Sequence, residues 1–127
     1  MKLPKYLTDS KWLDSQRELL LSERKSYTHS AEALAAEAAS LMADREPGDV
    51  QFDEESGEGD TLAVERDRDL ALSAKAREKV EEIDAALERL DAGTYGICVV
   101  SGEVIPKERL EALPMASKTV SAQTAMF

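Results

Sequence analysis

Asp91-Ala-Gly-Thr-Tyr-Gly-Ile-Cys-Val-Val-Ser-Gly-Glu-Val-Ile-Pro-Lys-Glu-Arg-Leu-Glu-Ala-Leu-Pro-Met115 is the stretch where the chain stops reading as long helix and starts reading as closely spaced turns. Asp91 to Gly93 closes a helical pattern, with Gly93 placed to take the left-handed conformation that commonly ends a helix. Ser101-Gly102, lying between Ile97-Cys98-Val99-Val100 and Val104-Ile105, predicts a tight turn joining two short strands. Pro106 suits the first turn of a short helix through Leu110, since its fixed φ is already helical and its missing N–H would have no partner there. The segment therefore reads as a small module of turns. Tyr95, Ile97, Val99, Val100, Val104, Ile105, Leu110, Leu113 and Val120 are expected to supply its apolar core, at about 0.8 kcal/mol per buried methylene.

Upstream of the module, a helix is expected from about Thr61 to Leu90. Ala76, Val80, Ile83, Leu87 and Leu90 alternate by three and four residues, the spacing of a helical seam, and Leu62 and Leu70 continue it less regularly. Before it, Arg45 to Asp60 holds Pro47, Gly48, Gly57 and Gly59 among acidic residues and reads as a turn region. Further back, Lys11 to Ala43 contains no Gly or Pro. There Leu13, Leu20, Tyr27, Leu34 and Leu41 recur every seven residues, with Ala31, Ala35 and Ala38 beside the later ones and Trp12 and Leu19 widening the seam near its start. Thr8, Asp9 and Ser10 offer N-cap oxygens for this first helix, and Pro4 keeps the lead before it out of helix. A helix of that length, about 50 Å at roughly 1.5 Å per residue, needs a partner along its seam. Two such helices joined by one turn fold back as an antiparallel hairpin. The expected fold is mainly α: a long coiled-coil hairpin over 1–91 with an acidic tip at about 44–60, then a small module over 92–127 whose last residues fray.

The 127 residues carry 16 basic and 26 acidic side chains, a formal charge of -10. Phosphate contacts need clustered Lys and Arg, so direct sequence-specific nucleic-acid binding is not expected. Eight acidic residues against the single Arg45 fall between Asp44 and Asp60, whereas Met1 to Ser30 has six basic and four acidic, so one end of the hairpin is expected to be strongly negative. One cysteine forms no internal disulfide, and no apolar run approaches the length of a membrane span, which makes a cytoplasmic, membrane-free protein the expectation.

The module resembles the zinc-finger segment of the DksA/TraR family, a bacterial family of transcription regulators. Gly93, Thr94, Tyr95, Gly96, Cys98, Gly102, Ile105, Arg109, Leu110, Ala112, Pro114 and Ala116 all stand at the family's positions and spacing. Of the family's four zinc-ligand positions only Cys98 keeps its cysteine; the others are Ser101, Thr119 and Ala122. A structural zinc site needs four soft or imidazole ligands in tetrahedral array, so these vestigial positions imply a zinc-finger-like module without metal and a chain with no cofactor. The resemblance implies a regulator that binds RNA polymerase as a monomer and inserts its coiled-coil tip into the secondary channel to modulate initiation. By an ungapped count from Cys98, the family's acidic tip positions fall on Glu55, Glu58 and Asp60. Basic residues such as Lys107 and Arg109 are the corresponding candidates for contact with the polymerase rim.

No constellation supports an enzyme. His29 is expected as a solvated residue of the first helix, and nothing in the sequence orients it against Cys98. Cys98 reads as a small buried thiol, and carboxylates in a Gly-rich exposed turn lack the burial that raises a carboxyl pKa toward neutrality. The alternative function comes from the heptad seam, which does not specify whether its partner is in the same chain. A coiled-coil interaction or adaptor protein, as a homodimer or with another partner, that has lost polymerase binding would carry the same seam.

Overall fold

The computed structural model describes residues 3–43 and 57–125, with the side chains of 42, 43, 57–60 and 125 outside that description. A short 3-10 turn at Lys5–Thr8 leads into α1 (Ser10–Ala43); α2 (Gly57–Ala92), α3 (Lys107–Ala112) and α4 (Val120–Ala125) follow. The helical hairpin expected from the two seams is the observed architecture. The chain divides into two compact units, one of Met1–Lys25 with Val80–Phe127 and one of Ser26–Lys79.

In the first unit, Asp9 caps α1: its Oδ1 accepts from the backbone N–H of Lys11 at 3.0 Å and of Trp12 at 3.5 Å, satisfying donors that a helix start leaves unpaired. At the other end, Gly93 takes φ +79. Gly93 N–H then bonds Leu90 O and Thr94 N–H bonds Arg89 O, the paired bonds of a Schellman stop. The start of α1 and the end of α2 run antiparallel. Arg17 meets Asp91 at 2.8 Å and Arg24 meets Asp84 at 2.6 Å, so seven residues forward on one helix is seven back on the other. Leu20, Ile83 and Ala86 are completely buried in this unit, and each of the two larger side chains contributes roughly 1.5–3 kcal/mol by leaving water.

In the second unit, the buried residues are small: Ala31 and Ala38 on α1, Ser73 and Ala76 on α2. Ser73 Oγ donates to the Ala31 carbonyl at 2.9 Å, a bond that ties the two backbones together. The expected place of Leu70 in the seam is corrected, since Leu70 is 48% exposed. Counting back by three and four from Ala76, the inward face carries Ser73, Asp69, Arg66 and Leu62. Three of those four are polar, so apolar periodicity could not reveal the true stripe.

Four more expectations change. Pro4 does not keep the lead extended throughout: it serves as the N-cap of the 3-10 turn, which buries Leu7. The two strands reduce, among the described residues, to a single antiparallel bridge, Ile97 to Val104. Val99, Val100, Leu113 and Val120 are 60%, 56%, 46% and 59% exposed and are not core; Met115, Ala116, Thr119 and Ala122 are buried in their stead. The tail forms α4, begun by Thr119, whose Oγ1 accepts from Ala122 N–H at 3.2 Å.

Candidate functional site

Cys98, Ser101, Thr119 and Ala122, the positions that the resemblance matched to zinc ligands, lie together, linked by hydrogen bonds. Cys98 N–H bonds Glu103 O at 2.8 Å and Gly102 N–H bonds Cys98 O at 2.9 Å, closing the turn that holds the sulfur inward at 2% exposure. Ser101 N–H points at Cys98 Sγ from 3.4 Å. Burial pushes the thiol up, but hydrogen bonds from the Ser101 side chain and from the backbone of Ser101, Thr119 and Val100 outweigh it and bring it from 9.0 down to about 6. The Val99 N–H instead bonds the Ser117 carbonyl at 2.9 Å, and the Val99 and Val100 side chains are exposed.

This donor set does not fit a zinc ion. Ser101 Oγ is taken up by Glu103 N–H at 3.3 Å, Thr119 Oγ1 by Ala122 N–H, and Ala122 has no ligand atom. Among the described residues, no group of three or more His, Cys, Asp or Glu is arranged to hold a metal. The Cys98 sulfur is met by the Ser101 N–H at 3.4 Å in place of a metal ion.

A second cluster joins the module to the start of α1. Tyr6 Oη donates to Ile105 O at 2.6 Å, and Trp12 Nε1 donates to Glu111 Oε2 at 3.1 Å. Gln16 Nε2 donates to both Tyr95 Oη at 3.0 Å and Leu110 O at 2.8 Å, while Tyr95 Oη donates to Pro114 O at 2.8 Å. The Tyr6 and Trp12 rings meet edge to face at 5.3 Å. Burial raises the Tyr95 hydroxyl above its ordinary value against the opposing Gln16 bond, so it stays protonated and keeps its donor. Burial likewise lowers Arg89 and raises Glu23. Gln16 and Tyr6 escaped the sequence reading because both sit where an apolar pattern has no signal. The tyrosines and the tryptophan clustered within the first 12 residues and at 95 were the available hint.

Of the rim candidates, Lys107 opens α3 and is exposed, whereas Arg109 is half-buried with its Nε donating to the Lys118 carbonyl at 2.9 Å. Of the tip candidates, Glu55 lies outside the described residues. Glu58 and Asp60 fall in the first turn of α2, which begins at Gly57 and so absorbs residues expected in the turn; their side chains also lie outside the description. His29 is exposed on α1. Charge separates by unit: the first holds ten basic and twelve acidic residues, the second six and fourteen, so -8 of the net charge of -10 belongs to Ser26–Lys79. No helix among the described residues is long and apolar enough to cross a membrane.

No family model matches the chain. It is 47% identical over 66 residues to the uncharacterised protein YteA of Bacillus subtilis, covering 52% of this chain and 28% of that one. It is 42% identical over 66 residues to the RNA polymerase-binding transcription factor DksA of Caulobacter vibrioides, covering 50% of this chain and 46% of that protein. The chain thus spans less than half the length of the curated relatives it matches. The solved structure of transcription factor DksA2 from Pseudomonas aeruginosa superposes with a TM-score of 0.74 at 28% identity, over 98% of this chain and 90% of that one.

Proposed function

Since the chain belongs to the DksA/TraR family, we propose that it is a transcription regulator that binds RNA polymerase and modulates initiation. One observation carries the reading: the likeness to DksA2 runs over 98% of the chain, hairpin and module together, so the parts such a regulator would use are present in one body of sequence. In this proposal the functional division is a hairpin over 1–91 and a module over 92–127. The hairpin enters the secondary channel, and Glu55, Glu58 and Asp60 act there as an electrostatic probe. Lys107, exposed on α3, and Arg109 form the rim contact. The net negative charge of Ser26–Lys79 supports placing the electrostatic probe in that unit. The protein acts as a cytoplasmic monomer, reads no DNA sequence itself and carries out no reaction.

The test separates binding from effect. Replacing Glu55, Glu58 and Asp60 together by Ala should leave affinity for RNA polymerase nearly unchanged and abolish the effect on initiation in a reconstituted transcription assay. Because Glu58 and Asp60 lie in the first turn of α2, where acidic side chains favour the helix N-terminus, the triple variant should lose roughly 0.6–2 kcal/mol of stability and remain folded. A triple variant that regulates as well as wild type refutes the tip assignment. A wild-type protein that never binds polymerase and sediments as a dimer leaves the coiled-coil adaptor as the function.

A further inference from the structure

We propose that Gln16 is a positioning residue: its single side-chain amide sets the orientation of α3 on the helical pair, and with it the surface that the partner reads. The proposal rests on the polymerase-binding function above and adds what governs it. Gln16 stands on α1 between Leu13 and Leu20, on the inward face where a helical seam takes Leu, and it is 3% exposed. An apolar residue there would bury more hydrocarbon and leave no amide to desolvate, but it would leave the Leu110 carbonyl without its donor, so the two effects on stability oppose one another. A polar residue at one seam position is the known means by which helical assemblies trade stability for a single register.

The geometry makes the amide directional. Both bonds leave from Nε2, which has two hydrogens, one for Tyr95 Oη at 3.0 Å and one for Leu110 O at 2.8 Å. Because Tyr95 Oη accepts from Gln16, its own hydrogen goes to Pro114 O at 2.8 Å. The acceptors belong to the turn after α2, to α3 and to the loop after α3, and Leu110 O is one of the end carbonyls that a short helix cannot satisfy itself. Packing of Ile105 and Leu110, both fully buried, holds α3 down but does not choose its rotation, since hydrophobic contact is non-directional. The Gln16–Tyr95 relay chooses it, and Lys107 is carried at the first residue of the helix so oriented.

Trp12, the only tryptophan, reports on the same contact because its Nε1 bonds Glu111 on α3 and its ring lies 6.4 Å from that of Tyr95. The experiment compares full-length wild type, Gln16→Leu and Tyr95→Phe by thermal melting, by Trp12 emission and lifetime, and by affinity for purified RNA polymerase. Gln16→Leu is expected to change its melting temperature little, because the added hydrocarbon burial offsets the loss of the donor to the Leu110 carbonyl, while Trp12 emission shifts red and its lifetime divides into more than one component. If the correct orientation is then populated about one-tenth of the time, polymerase affinity falls about tenfold. Tyr95→Phe, which keeps the Gln16 bond to Leu110 but loses both the bond from Gln16 to the Tyr95 hydroxyl and the bond from that hydroxyl to Pro114, shifts Trp12 emission and polymerase affinity in the same direction. Wild-type Trp12 emission in Gln16→Leu overturns the proposal. So does a melting temperature that falls in step with the emission change in both variants, which marks a residue of structure only. So does unchanged polymerase affinity beside a shifted Trp12. Failure of the wild type to bind polymerase counts against the function, while the Trp12 and melting measurements still decide the orientation.

Discussion

Replacing Gly96 by Ala tests how the lead packs on the module. Gly96 has φ +85, where an L side chain costs about 1–2 kcal/mol, and a Cβ there would stand 2.5 Å and 3.2 Å from the two terminal methyls of Leu7 and 3.4 Å from Leu110 Cδ1. Leu7 is 7% exposed and therefore held by its neighbours, so moving it aside adds an overpacking cost of about 1–3 kcal/mol. The total expected for Gly96→Ala is about 2–5 kcal/mol. Gly93→Ala is the internal control: φ is +79 but nothing lies within 4 Å of the added Cβ, so only the conformational part of about 1–2 kcal/mol remains. Urea unfolding followed by far-UV circular dichroism measures both. Leu7→Ala in the Gly96→Ala background should relieve the clash, so the double variant should cost less than the sum of its single changes. The reasoning is refuted if Gly96→Ala costs no more than Gly93→Ala, or if the double-mutant cycle is additive.

The Cys98 thiol makes stability depend on pH. Its folded value of about 6 lies below the ordinary 9.0, so folding favours the thiolate; that stabilisation is complete above the unfolded value and is lost as pH falls through about 6. Cys98→Ser should accordingly be close to wild type in stability at about pH 5.5 and increasingly less stable toward about pH 9, and a difference that does not grow with pH removes the amide-cradle account. The donors already committed around Ser101 and Thr119 predict that the purified protein folds without zinc. Near-stoichiometric zinc by elemental analysis, or unfolding of the module on adding a chelator, would contradict this.

Much of the fold was legible because local chemistry and global architecture agree. Asp9 offered a cap oxygen and the structure uses it; Gly93 offered a left-handed stop and α2 ends there. The heptad leucines announced α1, and its length required a partner. The seam of α2 was legible only near the module, where Ile83 and Ala76 mark it, and failed toward Leu70 because Arg66, Asp69 and Ser73 occupy inward positions. Cys98, Ser101, Thr119 and Ala122 were singled out only by the resemblance to the family's zinc-finger segment. That they lie together was not legible, since it depends on how the Cys98 turn and the Thr119 segment pack.

What the sequence by itself determined is the one-dimensional part: where helices start and stop and which faces carry leucine. These follow from backbone sterics, caps and periodicity, each of which acts over a few residues. What only the tertiary structure decided is which polar groups turn inward. Val99, Val100, Leu113 and Val120 look like core and are exposed, whereas Gln16 looks like surface and is buried. The physical reason is that a buried amide is tolerated only where acceptors from distant segments meet it, and the carbonyls of Leu110 and Pro114 come within reach of Gln16 and Tyr95 only after the chain has folded.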